Sequence, residues 1–116
     1  MITDYCKYEN DIQKLLEQLE YAIPYTMTGL KKLQKVCISS RVLSNKTKEL
    51  IALGISISSG CKEAIAIQIE NALKAGASSE EIYETMSVAI LMGGKQAMFY
   101  GCEALEALNQ FIVLEK

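Results

Sequence analysis

The sequence predicts an all-α protein, built as one compact domain of about six helices. Apolar residues recur at steps of three and four positions along the 116-residue chain, which is the spacing of one helix face. The chain contains one proline and seven glycines, so few positions interrupt a helix. A chain of this length fits a single domain, and we expect residues 1–116 to form one.

The first two predicted helices lie on either side of Pro24. The first carries an apolar stripe opposite polar residues, and it ends before Pro24, because proline disfavours the helical conformation in the residue before it. That stripe consists of Ile12, Leu15, Leu16, Leu19, Ala22 and Ile23. The second helix runs from Tyr25 to about Ile38 and includes Cys37 in its apolar set, which predicts a buried Cys37.

Two further helices are predicted between Ser44 and Gly76. Either Ser44 or Asn45 can cap the third helix, which extends to Ser58. The fourth opens around Cys61 and finishes at Ala75, since Gly76 can adopt the left-handed conformation that stops a helix.

The last two predicted helices are separated by a pair of glycines. Ser78 and Glu81 have the spacing of a capping box, so a fifth helix begins there. Gly93-Gly94 interrupts it, and a closing helix runs from Lys95 to about Val113. Cys102 falls in the apolar register of that helix, together with Met98, Phe99, Leu105, Leu108 and Phe111.

Composition limits the partners of the chain. Half of the residues are hydrophobic and 22% are charged, which is apolar for a small domain and favours a homo-oligomer that covers the excess. A net charge of −2 without clustered Lys and Arg predicts no nucleic-acid binding. The apolar stretches are short of a membrane span and no signal segment is present, so we expect a soluble, cytoplasmic protein without membrane contact.

The four cysteines, Cys6, Cys37, Cys61 and Cys102, are widely separated, and the chain has no histidine. This pattern predicts no metal site and no disulfide framework, and it indicates free thiols in a reducing compartment. Nothing in the sequence indicates an organic cofactor.

The candidate chemistry lies between Lys46 and Gln68. Cys61 stands where a helix begins, and the unpaired N–H groups there favour a thiolate, which is the reactive form. Gln68 falls on the same face of that helix, and Glu49 could return toward it if the two helices form a tight hairpin. The alternatives are an inert buried Cys61, a solvated Glu49 paired with Lys46 or Lys48, and an ordinary polar Gln68.

Four segments of the chain resemble the carboxymuconolactone decarboxylase and alkyl hydroperoxidase D superfamily. They are Val42–Leu53, Ser59–Cys61, Ala72–Ile82 and Ala89–Gly94, and the similarity covers roughly residues 42–111 in one register. The resemblance implies an all-helical fold that assembles as homo-oligomers, often trimers or hexamers. It also implies a site between a helix that bears a glutamate and a helix with a Cys-x-x-Cys-x-x-x-His motif.

In the hydroperoxidase branch of that superfamily, the second cysteine attacks the peroxide, the first closes a disulfide with it, and the glutamate and histidine relay protons. By this resemblance Glu49 matches the glutamate and Cys61 the first cysteine. Ala64 stands at the second cysteine position and Gln68 at the histidine position. These two substitutions exclude an intramolecular two-cysteine cycle at this site, because alanine has no thiol and an amide does not exchange protons near neutral pH.

Three hypotheses follow. The first is a divergent peroxiredoxin-type, antioxidant thiol peroxidase, in which a hydroperoxide oxidises Cys61, Glu49 accepts a proton and Gln68 gives support. The reductant is an outside thiol or a cysteine elsewhere in the chain. The second is a non-catalytic oligomeric binding protein on the same fold. The third is a lyase acting on a small lactone or keto acid, with Glu49 as base and Gln68 polarising a carbonyl.

Overall fold

The computed structural model describes residues 4–115, apart from the side chains of Cys6, Leu114 and Glu115. This part of the chain forms five α-helices and no strand. The helices are α1 (Tyr5–Ala22), α2 (Pro24–Ile38), α3 (Asn45–Ser59), α4 (Lys62–Lys74) and α5 (Ser79–Glu115). The predicted all-α class is therefore confirmed.

Side-chain caps place the helix starts where the sequence predicts them. Ser44 caps α3 by accepting a hydrogen bond from the Thr47 amide at 3.1 Å. Ser78 and Glu81 form the reciprocal capping box, with amide-to-side-chain distances of 2.9 and 3.1 Å. The first helix begins earlier than its apolar stripe, because Asp4 accepts from the Lys7 amide at 3.0 Å and caps it.

The helix count differs from the prediction because α5 spans both of the last two predicted helices. Gly94 interrupts it with φ 74° and ψ −153°, a conformation that is essentially restricted to glycine. α5 therefore consists of two helical segments that meet at a kink, and the break lies at the predicted glycine pair.

The core lies between α3, α4 and α5, which make the most extensive contacts with one another. Its largest fully buried aliphatic side chains are Leu53, Ile57, Ile65, Ile69, Ile82 and Leu108. The first turn of α1 is held on α5, since the buried Tyr5 donates its hydroxyl to Glu103 and its amide to Gln110 Oε1. The rest of α1 and α2 packs beside this core as a more open layer.

The buried face of the second half of α5 differs from the predicted one. Met98, Phe99, Cys102 and Leu105 are exposed, although Leu108 and Phe111 are buried as expected. Small residues face the core instead, namely Ala97, Gly101, Ala104 and Ala107. Their lack of bulk lets α5 approach its neighbours closely, and it leaves large apolar side chains on the outer face.

Candidate functional site

A cleft of about 770 Å³ lies between the layer formed by α1 and α2 and the faces of α3 and α4. Glu49 and Gln68 both line it, so the structure brings two of the three predicted site residues together. The remaining wall is mixed. Its apolar side chains are Leu16, Met27, Leu30, Ile38 and Ile67, and its polar and charged side chains are Gln13, Glu17, Glu20, Lys31, Gln34 and Asn71. Such a volume and lining suit a small ligand with an apolar portion.

Glu49 stands in the second turn of α3 and is partly buried. Neither neighbouring lysine is its partner: Lys46 pairs with Glu81 at 2.9 Å, and the Lys48 ammonium donates to the Ser39 carbonyl at 2.7 Å. The alternative of a solvated, lysine-paired Glu49 is therefore wrong. Burial raises the pKa of Glu49, because the charged carboxylate loses hydration that no nearby cation replaces.

Gln68 lies on α4 between the core residues Ile65 and Ile69. Its Oε1 atom is buried and has no hydrogen-bond partner among the described residues. A buried acceptor left unpaired costs about 1–3 kcal/mol, and in folded proteins such a group is usually satisfied by protein, a bound water or a ligand. The side-chain oxygen of Gln68 is therefore a candidate to accept a hydrogen bond from a molecule in the cleft.

Cys61, the third predicted site residue, is not among the residues that line the cleft. It is the N-cap of α4 and exposed, so the alternative of a buried Cys61 is wrong. Ser59, at the end of α3, lies ten residues beyond Glu49, which is roughly 15 Å along the helix axis at 1.5 Å per residue. The α3–α4 turn therefore carries Cys61 away from the level of Glu49.

The surroundings of Cys61 belong to α1 and the start of α4. The pKa of Tyr8 is raised by burial, by Glu63, and to a smaller extent by Cys61, which places the thiol near the Tyr8 phenol. The Cys61 amide donates to the Ser56 carbonyl at 3.0 Å, so the backbone at this turn is well held.

Cys37 contradicts its prediction as a core residue. It is exposed and lines the cleft together with Glu49 and Gln68. The periodicity of α2 misleads at this point, because Leu30, Leu33 and Val36 of the same apolar set are 43–59% exposed and only Met27 is buried. The sequence does not show whether the apolar stripe of a helix packs against the core or lies open to solvent, so the exposure of Cys37 could not be predicted.

A second, smaller groove of about 420 Å³ runs between α3 and α5. Its walls include Ile55, Val88 and Met92, which are 61–76% exposed. The neighbouring Leu91 is 78% exposed and extends the apolar surface. This groove contains no candidate catalytic group and has the character of a contact surface.

The described part of the chain carries neither a membrane-spanning helix nor a metal-binding cluster. None of its helices combines the length and apolar character needed to cross a membrane. Among the described side chains, no three acidic or cysteine groups converge as a set that could hold a metal ion.

The fold and the cleft together define a class of small all-helical proteins with a glutamate on one helix and a polar side chain facing it from the next. The chain belongs to the carboxymuconolactone decarboxylase family, whose model matches residues 24–107. The match thus begins earlier in the chain than the motif resemblance and includes all of α2.

Solved structures and sequence relatives agree with this assignment. A carboxymuconolactone decarboxylase family protein from Legionella pneumophila is 33% identical, with a TM-score of 0.89 over 92% of this chain and 96% of its own. A family protein from Thermotoga maritima, for which a part in an antioxidative response has been suggested, is 26% identical, with a TM-score of 0.74 over 78% of this chain and 94% of its own. An uncharacterised protein from Cupriavidus necator is 29% identical over 94% of this chain and 99% of its own length.

Proposed function

We propose that this protein reduces small organic hydroperoxides by means of a cysteine thiol. The observation that carries the proposal is the cleft, where Glu49, with its raised pKa, and the unpaired Gln68 oxygen share a cavity that also has apolar side chains in its wall. A hydroperoxide combines an apolar group with one O–H donor, and these features complement the apolar side chains of the wall and the Gln68 acceptor. The suggested antioxidative role of the Thermotoga maritima relative supports the same class of chemistry.

The proposed chemistry needs a thiol, a proton carrier and an outside reductant. A thiolate attacks the hydroxyl-bearing oxygen of R–O–O–H, the O–O bond breaks, and the departing alkoxide receives a proton to become R–OH. The thiol is left as a sulfenic acid. A small dithiol then restores it, since its first sulfur displaces water to form a mixed disulfide and its second releases the protein thiol.

Cys61 is the thiol that the sequence predicts, but it does not line the cleft, so the proposal does not depend on which cysteine reacts. Cys61 is exposed at the N-terminus of α4, where peroxide and reductant have access to it. Glu49 is proposed as the proton carrier, and Gln68 as the acceptor that orients the hydroperoxide O–H.

The test is consumption of cumene hydroperoxide with dithiothreitol as the donor. The wild type is compared with a variant in which all four cysteines are serine and with Cys61→Ser alone. We expect turnover by the wild type and only the uncatalysed rate in the variant without cysteines. Equal rates for those two proteins would contradict thiol chemistry, and an unchanged rate in Cys61→Ser would exclude Cys61 as the required thiol.

A non-redox lyase is the second candidate. The specific observation in its favour is that Glu49 and Gln68 share the cleft while Cys61 does not line it. In this case Glu49 would remove a proton from a small lactone or keto acid, and the Gln68 amide would polarise the carbonyl. Turnover of such a substrate that survives loss of all four cysteines but not Glu49→Gln would favour the lyase.

A protein that binds ligands in the cleft but turns over neither substrate class would be a non-catalytic binding protein.

We propose further that the protein acts as a homo-oligomer, in keeping with the trimers or hexamers that the family resemblance implies. The supporting observation is the exposed apolar surface on the α3–α5 groove, which a second copy of the chain would cover. Burial of such a surface contributes roughly 25 cal/mol per Å² of apolar area before the costs of association.

A further inference from the structure

Cys37 is a thiol in the same cleft as the acid–base and amide groups. It belongs to the last turn of α2 and is exposed, and it lines the cavity that Glu49 and Gln68 also line. Cys61 and Cys102, the other two cysteines with described side chains, are exposed but are not among the residues that line the cleft.

Hydrogen bonds hold the end of α2 against the start of α3. The Asn45 side-chain amide donates to the Ile38 carbonyl at 2.9 Å, and the Lys48 ammonium donates to the Ser39 carbonyl at 2.7 Å. Glu49 follows Asn45 by four residues, so both side chains project from the same face of α3. The face that contacts the residue next to Cys37 is therefore the face that carries Glu49.

The opposite wall supplies an independent indication of a ligand. Gln68 belongs to α4, and its buried Oε1 has no partner among the described residues, although a buried acceptor of this kind is costly to leave unpaired. A bound molecule with an O–H or N–H donor would satisfy it. Leu16, Met27, Leu30 and Ile67 would surround the apolar part of the same molecule.

We propose that Cys37 is a peroxide-reactive thiol and that it, rather than Cys61, reacts with organic hydroperoxides bound in this cleft. The inference deepens the proposed hydroperoxide reduction and rests on it. It also supplies a thiol to the cleft of a chain that has alanine, Ala64, at the attacking cysteine position implied by the family resemblance.

The step balances with groups that line the cleft. The Glu49 carboxylate takes the proton of the Cys37 thiol. The resulting thiolate attacks the terminal oxygen of the hydroperoxide, whose O–H group donates a hydrogen bond to Gln68 Oε1. The O–O bond breaks, its electron pair leaves on the alkoxide, and Glu49 returns the proton to form the alcohol. Cys37 becomes a sulfenic acid, and a dithiol donor reduces it with release of water, becoming a disulfide itself.

The test measures which cysteine is oxidised. The protein is exposed to limiting cumene hydroperoxide or to hydrogen peroxide, and sulfenic acids are trapped with dimedone and quantified by mass spectrometry. Cleavage after Lys and Arg separates the cysteines, since Cys37 falls in peptide 36–41, Cys61 in 49–62 and Cys102 in 96–116. Cys102 is the matched exposed control.

We expect cumene hydroperoxide to label Cys37 at least about tenfold faster than Cys102. Glu49→Gln should slow Cys37 labelling on the order of 10²-fold, which is the lower range for general acid–base catalysis, and should leave Cys61 labelling within about twofold. Cys37→Ser should lose turnover of cumene hydroperoxide, whereas Cys102→Ser should keep it. Circular dichroism of each variant confirms that the helices are retained.

Two results would overturn the inference. The first is that Cys37 is labelled no faster than Cys102. The second is that Cys37→Ser keeps full turnover of cumene hydroperoxide while Cys61→Ser loses it. The second result would leave the proposed function standing. If the wild type consumes no hydroperoxide above the variant without cysteines, the proposed function fails. The labelling rates then decide separately whether Cys37 is a selectively reactive thiol.

Discussion

The side-chain oxygen of Gln68 is buried without a hydrogen-bond donor among the described residues. This unpaired oxygen lies on the wall of the cleft and is flanked by core residues of α4. An unpaired buried oxygen lowers the stability of the free protein, and a ligand that donates a hydrogen bond to it would remove that cost. Residues with this property are more informative about function than the apolar side chains around them.

Gln68→Met keeps the side-chain volume and removes the buried acceptor. We expect the free energy of unfolding of this variant to be about 1 kcal/mol higher than that of the wild type, because the desolvation penalty of the amide oxygen is removed. Urea denaturation measures the change. The same variant should bind and reduce hydroperoxides more weakly, and a loss of stability without a change in activity would contradict a ligand role for Gln68.

A pair of carboxyl groups links α1 to α4. Burial and a hydrogen bond to Glu70 raise the pKa of Glu9 to about 7. Burial disfavours the charged form of Glu70, but hydrogen bonds from Lys74 and Glu9 outweigh it and lower the pKa of Glu70. Lys74 is 2.7 Å from the Glu70 carboxylate. Protonated Glu9 thus donates to ionised Glu70 and helps to hold α1 on α4.

The stability contributed by Glu9 should fall as pH rises. Its folded pKa is raised, so the contribution is fully present below about 4.5, the ordinary value, and is lost through about 7. Glu9→Gln should flatten this part of the pH profile and stabilise the protein at pH 8 by no more than about 1 kcal/mol, since solvent screens a partly exposed pair. Urea denaturation at pH 5 and pH 8 tests this, and an equal pH dependence in Glu9→Gln and wild type would exclude the pair.

The kink of α5 depends on the backbone of one residue. Gly94→Ala should destabilise the protein by about 1–3 kcal/mol, because an alanine side chain is strained at φ 74° and ψ −153°. Gly29→Ala is the matched control, since Gly29 is helical and a Cβ added there would meet no atom within 4 Å. That control should be neutral or stabilising by about 0.5–1 kcal/mol. Equal thermal stability of the two variants would contradict a strained kink.

Helix boundaries could be predicted from the sequence because they depend on local chemistry. Ser44, the Ser78–Glu81 pair and Gly60, which caps α3 in the left-handed conformation, each act within one or two turns. The exposure of Cys37 could not be predicted, because it depends on how far α2 stands from the core. The outer face of α5 could not be predicted for a related reason, since alanines at the core face carry a weak hydropathy signal.

The family motif made it possible to anticipate that Glu49 and Gln68 line one cleft. The distance of Cys61 from that cleft could not be anticipated. Two packed helices bring facing residues together only when they lie at the same height along both axes. Cys61 stands at the turn between α3 and α4, so it is far from Glu49 along α3 even though the helices pack well. Spacing in the sequence does not reveal such heights.

The exposed apolar surface of the α3–α5 groove supports the proposed self-association. The α3–α5 groove combines Ile55, Val88 and Met92, all more than 60% exposed, with the adjacent Leu91. Isolated apolar side chains are common on protein surfaces, but a continuous apolar groove is typical of an interface.

Val88→Glu should disrupt this proposed association, because a carboxylate would be buried in an apolar contact without a partner. We expect the mass measured by sedimentation velocity to fall to that of a smaller species, while the helical circular dichroism is retained. Val113→Glu is the control, since Val113 is 71% exposed and does not line the groove. An identical oligomer in both variants would place the interface elsewhere.

The most direct test is the rate of cumene hydroperoxide reduction with dithiothreitol in excess. Comparison of this rate between wild type and Glu49→Gln decides whether the cleft performs thiol chemistry. If Glu49 moves the proton from thiol to alkoxide, the variant should lose on the order of 10²-fold in kcat/KM while its fold is unchanged. Hydroperoxide reduction at the wild-type rate by Glu49→Gln would contradict this mechanism and separate the cleft from the peroxide chemistry.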